Sequence, residues 1–467
     1  MSKAEYMVID IGSTYTKLRV FKDAVCLAGA QVPTTLHNII EGIASGQREL
    51  QRKCGVSEAS RIIATSSAAG GLRMVAMGYM TRVTAKAAKE VAMNAGARVL
   101  EVISQDHDAE YRVEILREIN PDIVLLAGGT DSGDETSLQD NAEVLVQSGI
   151  KTKVILSGNK KAQPYAADIL EQSGIEYVRV PNIMPTIHEL VVKEARAAIH
   201  REFIKQITHA EGTKHLMKLL TNKTVTPTPG AVLMGAELMA RGIGEDDRPE
   251  GLLVIDLGGA TTDIHSILPR LEELPIEEKG LIVSNEKHAV YRTVEGNLGM
   301  RVSAEGILEI MEPAELLKRK SLYGEDKAVR FKEYIDRVSK KTSYIPQDSE
   351  EEIFERLLAE AAVEIALKRH AGYFCQDANP VMGIVPGMPV GRDLRDVKKV
   401  ICVGGYFQND INAGEQIVRS VLRNRGVSLL PDENAVEIKS DGKYILFAAG
   451  AISSIDTKYA LNVLKDI

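Results

Sequence analysis

Apolar residues from Leu252 to Ile255, then Asp256, Leu257, the pair Gly258 and Gly259, a run of small and hydroxyl residues through Thr262, and apolar residues again to Ile267 make the pattern of strand, tight turn and second strand. Glycine has no Cβ, so such a turn can take conformations closed to other residues and leave its backbone N–H groups open to an anion. Asp256, at the end of the buried strand, suits a magnesium ion held through water, and Ala260, Thr261 and Thr262 complete a candidate phosphate turn. An ordinary hairpin shows the same pattern. The functional reading gains from Val8 to Arg19, where an apolar strand leads to Asp10, Gly12, Ser13, Thr14 and Thr16 before a further strand. Two Asp-Gly-hydroxyl turns, one opening each half of the chain, predict two related domains facing each other across a nucleotide. Lys17 then reaches a phosphate, or else is a solvated edge residue.

Between and beyond these turns the periodicity predicts a third strand at Ala24 to Ala30, a helix from about Leu36 to Cys54, a buried strand at Arg61 to Thr65 and a small-residue loop at Ser66 to Gly71. From about Leu72 to Arg201 strands alternate with helices, with strands at Arg98 to Ile103, Asp122 to Ala127, Lys153 to Leu156 and Tyr177 to Val180. That alternation predicts a parallel, doubly wound sheet inserted in the first domain. Its Gly128 to Glu135 turn does not fit GxGxxG, and Asp131 and Asp134 take a partner-binding or turn role.

Ile183 to Leu220 reads as helical, and Thr224 to Ala240 places two prolines and a glycine ahead of a small, apolar helix. Val294 to Gly306 reads as a polar loop leading into a helix capped by Ser303. Ser349 with Glu352 forms a capping box for a long amphipathic helix to about His370, with Ile353, Leu357, Ala361 and Ile365 on one face. Its last turn carries Lys368, Arg369 and His370, which suit the helix dipole. Alternatively one of these cations, with Lys368 as the candidate, lies along the ribose or adenine of a nucleotide. Lys398 to Asp410 gives a strand followed by Gly404, Gly405 and Tyr406, where bare backbone admits a flat purine. A further strand at Tyr444 to Ala448 is expected before a terminal helix.

At 467 residues the chain suggests about three domain-sized units, and 44% hydrophobic residues can fill a large core. A formal net charge of −8 announces no basic surface for nucleic acid, and the absence of Trp argues against stacking platforms for bases. Cys26, Cys54, Cys375 and Cys402 form no CxxC pair and read as reduced, mostly buried thiols. The opening MSKAEYMVID has no apolar signal core, and no apolar run approaches membrane-spanning length. A cytoplasmic protein with no membrane partner is the expectation.

The five segments Asp10 to Lys17, Pro229 to Ala240, Asp256 to Asp263, Gly404 to Tyr406 and Ala449 to Ser453 resemble, in this order, the phosphate, connecting and adenosine segments of the actin-like ATPase superfamily of sugar kinases, heat-shock chaperones and actin. That resemblance implies an α/β fold with two ribonuclease H-like domains around a nucleotide cleft, ATP and Mg2+ as cofactors, and Asp10 and Asp256 as catalytic and metal-holding residues. It divides the chain into a first domain of residues 1–71 and 206–250, an insertion of 72–205 and a second domain of 251–450, with a C-terminal helix, 451–467, packing back on the first.

More narrowly, LLAGGTD at Leu125 to Asp131, EGNLGMR at Glu295 to Arg301 and GRDL with the following valine-glycine-glycine strand at Gly391 to Gly405 are similar to the glutamate mutase accessory family, GlmL or MutL. This implies an ATP-driven reactivating chaperone that helps an adenosylcobalamin-dependent mutase or aminomutase exchange damaged cobalamin, with a homodimer as one assembly open to it. A sugar or carboxylate kinase is the alternative, and an actin-like polymer a further rival. Where the chaperone ATPases carry Glu before the proline of the first connecting segment, this chain has Thr228, so a magnesium-water network built on that Glu is missing or rebuilt and hydrolysis is expected to be slow. Asp263 and His265 begin the cobalamin motif DxHxxG, but Leu268 stands where Gly is needed and the match reads as coincidence.

Overall fold

The computed structural model describes residues 3–12, 15–35, 38–67, 73–80, 88, 92, 98–186, 191, 193–208, 213–243, 250–269, 289–378 and 385–467. The chain forms two compact units, Met1–Met234 with Phe447–Val463 and Gly235–Leu446 with Leu464–Ile467.

The first unit opens on the predicted meander. β1 (Ala4–Ile11), β2 (Tyr15–Lys22) and β3 (Val25–Pro33) pair antiparallel in turn. Helix Ile39–Cys54 follows, started by Asn38, whose side chain accepts from Ile40 N at 3.2 Å, and ended by Gly55 in the left-handed conformation. Ile39, Ile43 and Leu50 bury this helix against Met7, Ile9, Leu18 and Val20. The chain then enters β4 (Ala59–Ser66), parallel to β1. Residues 68–71 of the expected small-residue loop lie outside the described residues.

β5 (Arg73–Met77), β6 (Arg98–Ile103), β7 (Ile123–Leu126), β8 (Lys153–Leu156) and β9 (Tyr177–Arg179) make a separate parallel sheet in the order β6-β5-β7-β8-β9. Both faces are buried, as parallel strands require. Met74, Ala76, Ile123 and Leu125 join the core that contains β1, while Val75, Met77, Val124 and Leu126 pack beneath helices Ala109–Ile119, Ser137–Ser148 and Gln163–Gln172. The predicted doubly wound sheet is present, with β5 as a strand its short pattern did not reveal.

After helices Lys193–Thr208 and Thr213–Leu219, β10 (Val225–Pro227) adds parallel to β4, so the first sheet runs β10-β4-β1-β2-β3. Two expectations fail here. Residues 183–186 are irregular, not helical, because Ser157 Oγ accepts from Ile183 N and Asn182 Oδ1 from Met184 N, each at 3.0 Å. Thr224 to Pro227 is mostly strand, and Pro229 and Gly230 sit inside helix Thr228–Arg241, in the first turn, where the missing N–H of proline is no loss.

The second unit repeats the plan. β11 (Gly251–Leu257), β12 (Thr262–Ile267) and β13 (Val290–Glu295) form an antiparallel meander. Helices Pro313–Lys318, Glu325–Lys340 and Ser349–His370 cross over, a short hairpin of β14 (Tyr373–Phe374) and β15 (Pro389–Val390) follows, and β16 (Val397–Val403) and β17 (Glu437–Ser440) then add parallel to β11. The order β13-β12-β11-β16-β17 has the same strand senses as the first sheet. A mixed α/β fold with this sheet duplicated is what the actin-like resemblance implies.

Helix Ser349–His370 forms where predicted, but its cap is Asp348, whose carboxylate accepts from Glu351 N at 2.9 Å; the Glu351 side chain in turn accepts from Gln347 N at 2.9 Å. A charged acceptor at the cap position displaces the expected Ser349. The helix is also buried on more than the one predicted face. Glu355, Glu360 and Glu364 are buried on it and meet Arg301, Lys320 and Arg319 respectively.

The expected strand at Tyr444 to Ala448 does not exist: helix Leu446–Ser453 occupies it. A short apolar run has no periodicity to separate a strand from a buried helix. Buried Asp441 decides the matter by accepting from Ile445 N at 2.7 Å and Leu446 N at 2.8 Å, which turns the chain into the helix. Helix Thr457–Leu464 places Tyr459 on β1, its hydroxyl donating to Glu5 at 2.8 Å and its ring 4.5 Å from that of Tyr6. Among the described residues no helix is long and apolar enough to cross a membrane.

Asp441→Ala removes this helix start and is predicted to cost about 1–2 kcal/mol, the range of a lost side-chain cap. Equilibrium urea unfolding checks this, and an unchanged midpoint would show that the apolar run turns helical without help.

Candidate functional site: two aspartate turns

Each sheet ends its first strand in an aspartate and a tight turn. In the first unit, Asp10 is 2% exposed at the carboxyl end of β1. Burying a carboxylate is costly unless it is hydrogen-bonded. Thr65, its register partner on parallel β4, donates to Asp10 Oδ1 at 3.1 Å, and Thr228 donates to the same oxygen at 2.6 Å. Thr228 opens helix Thr228–Arg241, so the carboxylate also lies where the helix dipole favours negative charge. Lys17 Nζ is 4.0 Å from Asp10 Oδ2.

The turn itself closes with Gly12 N donating to Tyr15 O at 3.0 Å, while Thr34 Oγ1 donates to Gly12 O at 2.8 Å. Thr16 is buried, its hydroxyl 3.0 Å from that of Thr34. Ser13 and Thr14 lie outside the described residues. The predicted Asp10, Gly12 and Lys17 thus come together, and Thr65 and Thr228 join them. Thr228 showed in the sequence only as a departure from the chaperone pattern, and Thr65 only as the last residue of an apolar strand.

In the second unit Asp256, half-buried, ends β11 directly opposite Asp263 of β12. Two facing acids repel unless one is compensated. Arg292 of β13 donates to Asp263 Oδ1 through Nε at 2.9 Å and through NH2 at 2.5 Å, and Thr261 Oγ1 donates to Asp263 Oδ2 at 3.0 Å. Asp263 is therefore neutralised within the protein, a role its sequence pattern did not show. His265, two residues on, is fully buried, and burial followed by the Arg292 charge holds its pKa well below the usual histidine value.

The turn closes with Gly258 N donating to Thr261 O at 2.9 Å. Its carbonyls face outward: Gly258 O accepts from Met300 N at 3.0 Å, Gly259 O from Arg301 N at 2.8 Å, and Ala260 O from the Ser303 hydroxyl. The backbone N–H groups of Gly259, Ala260 and Thr261 donate to no protein acceptor among the described residues. Consecutive undirected N–H groups in a tight turn form an anion-binding concavity. Thr262 is turned inward, its hydroxyl donating to Leu298 O at 2.5 Å. Ser303 precedes a short 3-10 turn, Ala304–Ile307, yet does not cap it, since its hydroxyl is committed to the Gly258–Thr261 turn.

Gly404, which follows β16, has φ +119°, and a Cβ there would lie 2.2 Å from Leu257 O. Its glycine is dictated by the close approach to β11. Gly405, by contrast, has open space around it. Tyr406 is half-buried, and that burial pushes its hydroxyl pKa up. Lys368 donates to Glu364 at 2.6 Å. Burial acts against the Glu364 carboxylate, but hydrogen bonds from Lys368 and Arg319 outweigh it and hold the pKa below the usual value.

The duplicated sheet with an aspartate-bearing turn in each copy is a mixed α/β arrangement of the kind that the actin-like resemblance implies. The chain belongs to the MutL protein family, whose family model matches residues 6–467. It is 34% identical over 466 residues to Protein MutL of Clostridium tetanomorphum, with 98% of each chain covered. Among solved structures it is similar to nucleotide-free acetone carboxylase, at 11% identity and a TM-score of 0.37 over 87% of this chain and 66% of that one. It is also similar to a nucleotide-free diol dehydratase-reactivating factor, at 12% identity and a TM-score of 0.35 over 96% of this chain and 99% of that one.

Asp263→Asn removes the carboxylate charge that meets the buried Arg292 guanidinium and is predicted to destabilise the protein by about 3–5 kcal/mol. Urea unfolding of the variant measures it, and a loss below about 1 kcal/mol, the scale of an exposed pair, would mean that Arg292 is not dependent on Asp263.

Proposed function

We propose that the protein is an ATP-dependent reactivating chaperone that helps an adenosylcobalamin-dependent mutase or aminomutase exchange damaged cobalamin. The observation that carries the ATP part is the Gly258–Thr261 turn, which follows Asp256 in the chain and has three N–H groups that meet no protein acceptor among the described residues. Membership of the MutL family supports the mutase part.

In this reading the turn N–H groups of Gly259, Ala260 and Thr261 bind phosphate oxygens, as Lys17 does from the first unit, with Ser13 and Thr14 assigned there by sequence and Gly12, whose N–H closes the turn on Tyr15 O, shaping the backbone around them. Asp10 and Asp256 hold the water shell of a magnesium ion, which when bound offsets the charge of the phosphates. Thr65 and Thr228 fix Asp10 through one oxygen and leave the other directed toward Lys17 and ligand. These are neutral donors, so they hold Asp10 without cancelling its charge, and Lys17 at 4.0 Å is the cation that faces it. Thr228 takes over the place of the missing Glu by orienting the acid instead of adding a second one. Gly404, Gly405 and Tyr406 receive the adenosine, with Lys368 beside it. Catalysis is chiefly positioning and electrostatics.

A kinase needs a further acid as base beside the transferred phosphoryl group. The further acid at the second turn, Asp263, is already bound by Arg292 and Thr261. That favours ATP turnover in a chaperone cycle over transfer to a small molecule.

Asp256→Ala is predicted to abolish ATP turnover while keeping the fold; turnover at the wild-type rate would remove Asp256 from the assignment. Thr228→Val keeps the side-chain shape but removes a charge-assisted hydrogen bond, predicting a loss of about tenfold in turnover. Incubation of an inactivated adenosylcobalamin-dependent mutase with the protein, ATP, magnesium and fresh cofactor should restore its activity. Equal recovery without ATP, or recovery of none of the mutases and aminomutases assayed, would count against the chaperone role.

A further inference from the structure

The residues of EGNLGMR and those just after them close over the outer side of the Gly258–Thr261 turn. A carbonyl and the N–H that follows it belong to one planar peptide group and point in opposite directions. Met300 N, Arg301 N and the Ser303 hydroxyl hold the carbonyls of Gly258, Gly259 and Ala260, three peptide groups in succession. Holding those carbonyls outward turns the N–H groups of Gly259, Ala260 and Thr261 the other way, where no protein acceptor among the described residues meets them.

The approach is close enough to require glycine at 299, since a Cβ there would lie 2.5 Å from the Ala260 carbonyl carbon and 2.6 Å from Gly259 O. The segment is anchored from behind. Thr262 Oγ1 donates to Leu298 O at 2.5 Å, and Arg301 reaches Glu355 of helix Ser349–His370 at 2.7 Å. Glu355 also accepts from the buried hydroxyl of Tyr334. The Arg301 side chain is itself 18% exposed against 10% for Glu355, so the pair is shielded enough to hold the backbone in place.

We propose that Ser303 and Arg301 are positioning residues for polyphosphate: they hold the outer face of the turn so that its three N–H groups are preset toward the phosphates of a bound nucleotide. The proposal rests on the ATP reading above and gives the family motif a physical task within it. Preset donors bind more tightly because their orientation is not bought from the binding energy. Ser303 is the removable part, because among the described residues its side-chain hydroxyl is what holds the Ala260 carbonyl.

The test is calorimetric titration of the full chain with MgADP for wild type, Ser303→Ala, Ser303→Thr and Glu355→Gln, alongside urea unfolding of each. Ser303→Ala should weaken ADP about tenfold with little change in its unfolding midpoint, and Ser303→Thr, which restores a hydroxyl, should recover most of the affinity. Glu355→Gln, which slackens Arg301, should weaken ADP by a smaller factor. Wild-type affinity in Ser303→Ala overturns the positioning role and leaves the ATP reading standing. Equal loss in the alanine and threonine variants also overturns it, since the hydroxyl then carries no part. A wild-type protein that binds neither ADP nor ATP overturns the ATP reading, and this proposal with it.

Discussion

The carbonyl groups of Gly258, Gly259 and Ala260 are all bonded on one side, and the character of the second turn depends on that constraint. A tight turn left to itself exposes a mixture of donors and acceptors. With its acceptors occupied it presents donors only, and it becomes selective for an anion. In the first turn the Thr34 hydroxyl likewise takes the Gly12 carbonyl. In each unit a residue outside the glycine turn, Thr34 or Ser303, thus holds a turn carbonyl.

Buried charge is handled in two ways that separate structural acids from candidate functional ones. Asp263 is met by a guanidinium, and Glu355, Glu360 and Glu364 of the long helix by Arg301, Lys320 and Arg319, so each negative charge is cancelled where it stands. Asp10 is held by two threonine hydroxyls, with Lys17 at 4.0 Å as its nearest cation among the ion pairs. Neutral donors stabilise the carboxylate without cancelling its charge, and in the proposed function that charge is what draws the magnesium ion.

Much of this was legible in the chain. The strand pairs around Asp10 and Asp256 were legible because strand, acid and glycine are all local signals, and the alternation after Leu72 gave the parallel sheet because helix and strand periods differ. What was not legible depended on contacts between distant residues. Thr65 meets Asp10 through strand register, and Ser303 meets Ala260 across 43 positions of sequence. Tyr444 to Ala448 looked like a strand because its apolar run is short, and a single buried aspartate upstream makes it helix. Asp348 displaced Ser349 as a cap for a simple reason, a carboxylate one residue earlier.

The central claim is that ATP is bound through the backbone of the second turn. Hydrogen–deuterium exchange across Leu257 to Thr262, with and without MgATP, tests it most directly. The account predicts that the amides of Gly259, Ala260 and Thr261, which donate to no protein acceptor among the described residues, become protected when MgATP is added. Unchanged exchange at these amides under saturating MgATP would contradict it.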